Sequence, residues 1–120
     1  MNDQIDSKPY DLEKRTTKYA RDVFVFVGLC PKTPVNIELV KQVVISAGSV
    51  GANYIEARES LGKKDQAMRI RICRKEVKES RCWLQLFEIK SQILEEKRNL
   101  LIDESSELLK IFTAIIEKIK

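Results

Sequence analysis

The stretch Ser46-Ala-Gly-Ser-Val-Gly-Ala-Asn-Tyr-Ile-Glu-Ala-Arg-Glu59 (SAGSVGANYIEARE) decides the fold. Two glycines among small residues, followed by Asn53, Glu56 and Arg58, admit two readings: a loop that cradles a phosphate, or a helix that lets a neighbouring backbone come close. A phosphate loop needs a preceding strand and usually Gly-Lys-Ser/Thr at its end, and neither is present. Gly48 and Gly51 lie three apart within a helical apolar pattern, so they share a face. Each costs about 1 kcal/mol relative to alanine in a helix interior. Close approach of another helix at both glycines is the expected compensation.

Working outward, this stretch ends a helix predicted over residues 34–58, with Thr33 as N-cap and Pro34 at the first helical position. Ile37, Val40, Val43, Val44, Ala47, Val50, Tyr54 and Ile55 supply its apolar side. Before it, Leu12, Thr16, Tyr19, Ala20, Val23, Val27 and Cys30 predict a helix over about residues 11–29, with Asp11 as N-cap. Within it, Val23-Phe-Val-Phe-Val27 has strand propensity. It reads as helix because its flanks are helix-periodic and no partner strand exists, and its extra apolar face is a candidate subunit interface. A third helix, about 63–89, has a seam of Ile70, Cys73, Val77, Ser80, Leu84 and Phe87, with Ile72, Trp83 and Leu86 beside it. A fourth, about 92–119, aligns Leu94, Leu101, Ser105, Leu108, Phe112, Ile115 and Ile119. Lys90-Ser-Gln-Ile93 between them contains neither Gly nor Pro.

Composition suits this reading. The 120 residues are 43% hydrophobic and 33% charged, enough for the core of one domain, 1–120, and unlike a disordered chain. No apolar run approaches the roughly 20 residues that span a bilayer, and residues 1–8 are polar without a signal-peptide pattern. The expectation is a cytoplasmic protein with no membrane partner. Cys30, Cys73 and Cys82 fall in apolar patterns and read as buried free thiols. With no histidine in the chain, the commonest general base and zinc ligand are missing, so no catalytic residue, metal or cofactor is assigned.

The charge is +4 overall but concentrates in the third helix. Between Lys63 and Arg81, eight basic residues (Lys63, Lys64, Arg69, Arg71, Arg74, Lys75, Lys78, Arg81) stand against Asp65, Glu76 and Glu79, a net of +5. All of these basic residues except Arg69 fall within an arc of about 120° at helical spacing. Such a stripe follows a phosphate backbone, a solvated face, or an acidic protein partner. No aromatic residue interleaves it for base stacking. Glu76 and Glu79 project between the two apolar strips, where carboxylates need partners. The expected arrangement is a structural network with Asn53, Glu56 and Arg58, in which Arg58 pairs with either carboxylate; a catalytic carboxylate pair is the other reading.

The runs SAGSVGANYIEARES and KKDQAMRIRICRKEVKESRCWLQL, with Glu76-x-x-Glu79-x-x-x-Trp83-Leu84, resemble the four-helix bundle proteins first met in intervening sequences of bacterial 23S rRNA genes. The likeness runs from Tyr10-Asp-Leu-Glu13 to Leu108-Leu-Lys-Ile111, and departs at Ala57, where that family often has Gly. The resemblance implies an all-α, antiparallel up-down-up-down bundle that assembles into a homopentameric ring, without enzymatic activity. It also links the chain distantly to the accessory proteins of diversity-generating retroelements, basic pentamers that bind nucleic acid and a reverse transcriptase. The expectation is therefore an accessory protein binding RNA or DNA through the third helix. The alternative is an oligomeric adaptor that holds another protein and no nucleic acid.

Overall fold

The computed structural model describes residues 9–119, so residues 1–8 lie outside the described residues. Four helices follow one another: α1 (Pro9–Leu29), α2 (Pro34–Arg58), α3 (Lys63–Leu86) and α4 (Gln92–Ile119). Thr33 caps α2, its side chain accepting from the Asn36 amide at 3.1 Å. Asp11 is not an N-cap. Pro9, the first described residue, is already helical, so Asp11 lies inside α1.

Cross-helix pairs give the direction of each element. Thr16 faces Gly51 and Phe24 faces Gly48, so α1 and α2 are antiparallel. Gln66 reaches the Ala57 carbonyl at 3.3 Å and Cys73 the Val50 carbonyl at 3.4 Å, which makes α2 and α3 antiparallel. Arg98 meets the Leu84 carbonyl at 3.2 Å and Arg74 meets Thr113 at 3.4 Å, which does the same for α3 and α4. Arg15 holds Glu104 through two bonds of 2.7 and 3.0 Å and closes α1 against α4. The result is an up-down-up-down bundle. Among neighbouring helices, the α2–α3 packing is the most extensive and α1–α4 the least.

The core is a stripe from each helix: Leu12, Tyr19, Val23 and Phe26; Val43, Ala47 and Val50; Ile70, Cys73, Val77 and Leu84; Leu101, Leu108 and Phe112. Tyr19 and Ser80 join across the diagonal at 2.6 Å. This satisfies two buried hydroxyls, and burial pushes the Tyr19 pKa up to about 12. Val23-Phe-Val-Phe-Val27 is helical, with Val23 and Phe26 in the core and Phe24 and Val25 exposed.

Three details of the apolar pattern differ from the sequence reading. In α2, Ile37 and Ile55 are exposed, while Asn36, Ser46 and Ala57 are buried. Small side chains let α3 approach, and the polar ones are satisfied: Ser46 donates to the Gln42 carbonyl at 3.0 Å. In α4, Ile116 is buried and Ile115 only half-buried. Helix α3 stops at Leu86 rather than Ile89 because the next backbone groups find partners elsewhere. The Asn36 amide donates to the Glu88 carbonyl at 2.9 Å and its oxygen accepts from the Glu88 amide at 2.8 Å. Arg98 donates to the Phe87 carbonyl at 2.8 Å. Phe87, with ψ of 137°, leaves the helix yet stays buried, edge-on to Phe26 at 5.9 Å.

The two glycines do not play the same part. A Cβ on Gly51 would stand 3.1 Å from Thr16 Oγ1 and 4.0 Å from the Thr16 backbone carbon, so here α1 does press against α2. Gly48 is exposed, and a Cβ there would meet only the far end of the Phe24 ring at 3.9 Å. The close approach expected at both positions occurs at one.

Candidate nucleic-acid interface

The buried seam of α3 faces α2 and α4, so its opposite side points outward. Lys64, Met68, Arg71, Lys75, Lys78 and Cys82 succeed one another there at alternating four- and three-residue steps, all exposed. Lys63 is also exposed. Arg74 and Arg81 lie on the shoulder toward α4 and are half-buried, Arg74 leaning on Thr113. The Arg81 Nε is buried without a hydrogen-bond partner. Among the described residues, Lys63, Lys64, Arg71 and Lys78 form no ion pair. Lys75 is 4.0 Å from Glu79 on the next turn.

The neighbouring helices do not share this charge. Helix α4 carries four basic against six acidic residues, a net of −2, and α2 carries two of each, a net of 0. The basic face is one helix wide. On its α2 side it ends at Glu76 and Glu79, both half-buried. Burial, then the charge of Glu79, raises the Glu76 pKa above its ordinary 4.5, and Lys75 opposes the shift.

The expected network of Asn53, Glu56, Arg58, Glu76 and Glu79 is not assembled. Arg58 pairs with Glu13 of α1. Asn53 accepts from Arg69 at 3.2 Å and donates to the Ser49 carbonyl at 2.9 Å. Glu56 is exposed. The antiparallel register explains this: Cys73 is level with Val50, so Glu76 is level with residue 47, about 16 Å along the axis from Arg58. Water reaches the half-exposed Glu76 and Glu79, which removes the need for a buried cation. Nor are all three thiols buried: Cys30 and Cys73 are, whereas Cys82 is exposed on the outer line of α3. The sequence reading missed Arg69, Asn36 and Arg98, whose partners sit on other helices or loops and leave no local pattern.

Among the described residues, no cluster of three or more His, Cys, Asp or Glu could hold a metal ion. No helix among them is long and apolar enough to cross a membrane. Apolar side chains also reach the surface away from α3. Phe24 and Ile55 line a groove of about 370 Å³ between α1 and α2, over Gly48, Gly51 and Ala52. Val25 and Leu100 line another, of about 220 Å³, between α1 and α4.

No curated protein matches the chain. A crystal structure of a protein of unknown function from the S23 ribosomal protein family of Bacteroides thetaiotaomicron VPI-5482 is similar. Its TM-score is 0.74 at 24% identity, covering 91% of this chain and 97% of that one. At this identity the likeness establishes a shared fold. The model of the 23S rRNA-intervening sequence protein family matches residues 9–114, which take in all of α1, α2 and α3 and most of α4. With the match running through both the glycine notch and the basic helix, the chain belongs to the 23S rRNA-intervening sequence protein family.

Proposed function

We propose that the protein is a non-enzymatic, oligomeric accessory protein of the cytoplasm that binds the backbone of nucleic acid through the outer face of α3. Lys63, Lys64, Arg71, Lys75 and Lys78 touch the phosphates, and Arg74 and Arg81 add charge at the shoulder. The observation that carries this reading is the set of four exposed, unpaired cations on a helix of net +5 flanked by neutral and acidic neighbours. A face kept basic only for solubility would not need that segregation. Contacts to phosphates position a protein without reading bases, so binding is sequence-independent.

The proposed assembly is a homopentameric ring, as the family resemblance implies, and the exposed Phe24 and Val25 of α1 supply apolar area for it. Five copies of a modest stripe convert weak phosphate contacts into useful affinity through multivalency. The test is affinity for generic RNA and DNA at low and at physiological salt, for the wild type and for charge reversal at Arg71, Arg74, Lys75 and Lys78. Binding that weakens steeply with salt and is abolished on reversal is expected. No binding at low salt, or binding that survives the reversal, rejects the function.

A further inference from the structure

We propose that the backbone accepted by α3 is that of a double helix rather than of a single strand; this rests on the basic-face reading above. Proteins that hold single strands combine a charged channel with exposed aromatic side chains on which successive bases stack. Neither feature is present on this face. Of the aromatic residues whose side chains are described, Tyr19, Phe26, Tyr54, Phe87 and Phe112 are buried. Trp83 is half-buried and packs against the core. Phe24 is exposed, but it lines the groove between α1 and α2, and α1 stands diagonally across the bundle from α3. An unstacked base arriving at Lys64, Arg71, Lys75 and Lys78 would meet only alkyl stems, Met68 and Cys82.

The shape of the charge points the same way. From Lys64 to Lys78 the cations rise about 21 Å along one straight helix. They form a ridge with no channel wall: one side falls to Glu76 and Glu79, the other to the net-acidic α4. A duplex offers a matching rigid array, one phosphate charge per roughly 1.7 Å of axis, and releases more counterion per phosphate neutralised than a single strand does. A flexible single strand would have to be ordered along the ridge, at an entropic cost that stacking would not repay here. The chemistry is shared by DNA and RNA duplexes, because the ridge reads phosphate and not base edges.

The experiment measures anisotropy of labelled poly-dT and poly-U single strands, and of mixed-sequence DNA and RNA duplexes of equal length, with the full-length protein at low salt. Over about five phosphate contacts, duplexes are expected to bind about tenfold more tightly in total. That advantage in DNA, in RNA or in both supports the proposal and identifies the source of the backbone. Equal or tighter binding of single strands, still abolished by the Arg71→Glu/Lys75→Glu double variant, overturns the proposal and leaves the basic face standing. No binding by any of the four probes overturns the basic-face reading and this inference together.

Discussion

Gly51 and Gly48 are alike in sequence and unlike in surroundings, and substitution separates them. Gly48→Ala gains helix propensity worth about 1 kcal/mol and adds only ordinary van der Waals touching with Phe24. Gly51→Ala makes the same gain but places its Cβ against Thr16. Thr16 is fully buried and its hydroxyl is held by the Glu13 carbonyl at 3.0 Å, so it has nowhere to yield. Overpacking then outweighs propensity, for a net loss of about 1 kcal/mol. Urea denaturation at matched protein concentration should show opposite signs for the two. The spacing of the glycines was legible in the sequence; which of them meets α1 was not, because that depends on where the two helices cross.

The thiols and the half-buried carboxylate are also distinguished by environment. Burial pushes Cys73 up to about 12 and raises Cys30, while Cys82 is exposed. Alkylation of the native protein at neutral pH should therefore modify one thiol quickly, and Cys82→Ser should remove that reaction. For Glu76, the raised native pKa means that ionisation works against folding. Its favourable contribution is fully present below its unfolded value and is lost as pH rises through the raised native value. Glu76→Gln should raise Tm at neutral pH, and that advantage should vanish in acid; a constant offset across pH would contradict the assignment.

Between elements, the two interhelical breaks differ in how they are encoded. Cys30-Pro-Lys-Thr-Pro34 is local chemistry: Pro cannot continue α1, and Thr33 and Pro34 start α2. The end of α3 is set by Asn36, which is 52 positions away from Glu88 yet bonds both its amide and its carbonyl, and also donates to the Pro31 carbonyl at 2.8 Å. No local pattern carries that information, so periodicity alone extended α3 through Ile89. Asn36→Ala strips three hydrogen bonds from two connecting segments at once. It should cost about 2 kcal/mol or more, seen as a shifted denaturation midpoint. The same limit explains the failed network around Arg58. Helical angle gave the side of α3 on which Glu76 and Glu79 lie, but pairing also requires the axial register between α2 and α3. The basic stripe needed only angle, and its outer line was legible for that reason.

For the molecule as a whole, the basic face of α3 and the apolar grooves beside α1 lie apart. The cations collect on α3, whereas exposed Phe24 and Val25 lie on α1 and open toward different neighbours. A second copy can therefore occupy α1 without covering the basic face. Light scattering should give a mass several times the 13.9 kDa chain. Phe24→Glu combined with Val25→Glu should reduce that mass. A wild type that is monomeric at micromolar concentration would contradict the proposed interface. Assembly would present the outer face of α3 repeatedly, so breaking the ring should weaken binding even with every cation retained.

The most direct test of nucleic-acid binding by α3 is the slope of log affinity against log salt, measured for the wild type and after neutralising Arg71, Lys75 and Lys78 one at a time. Each substitution should flatten the slope by about 0.9 for every duplex phosphate whose charge the protein no longer neutralises. A slope near zero in the wild type, or one unchanged by the three substitutions, would contradict the account.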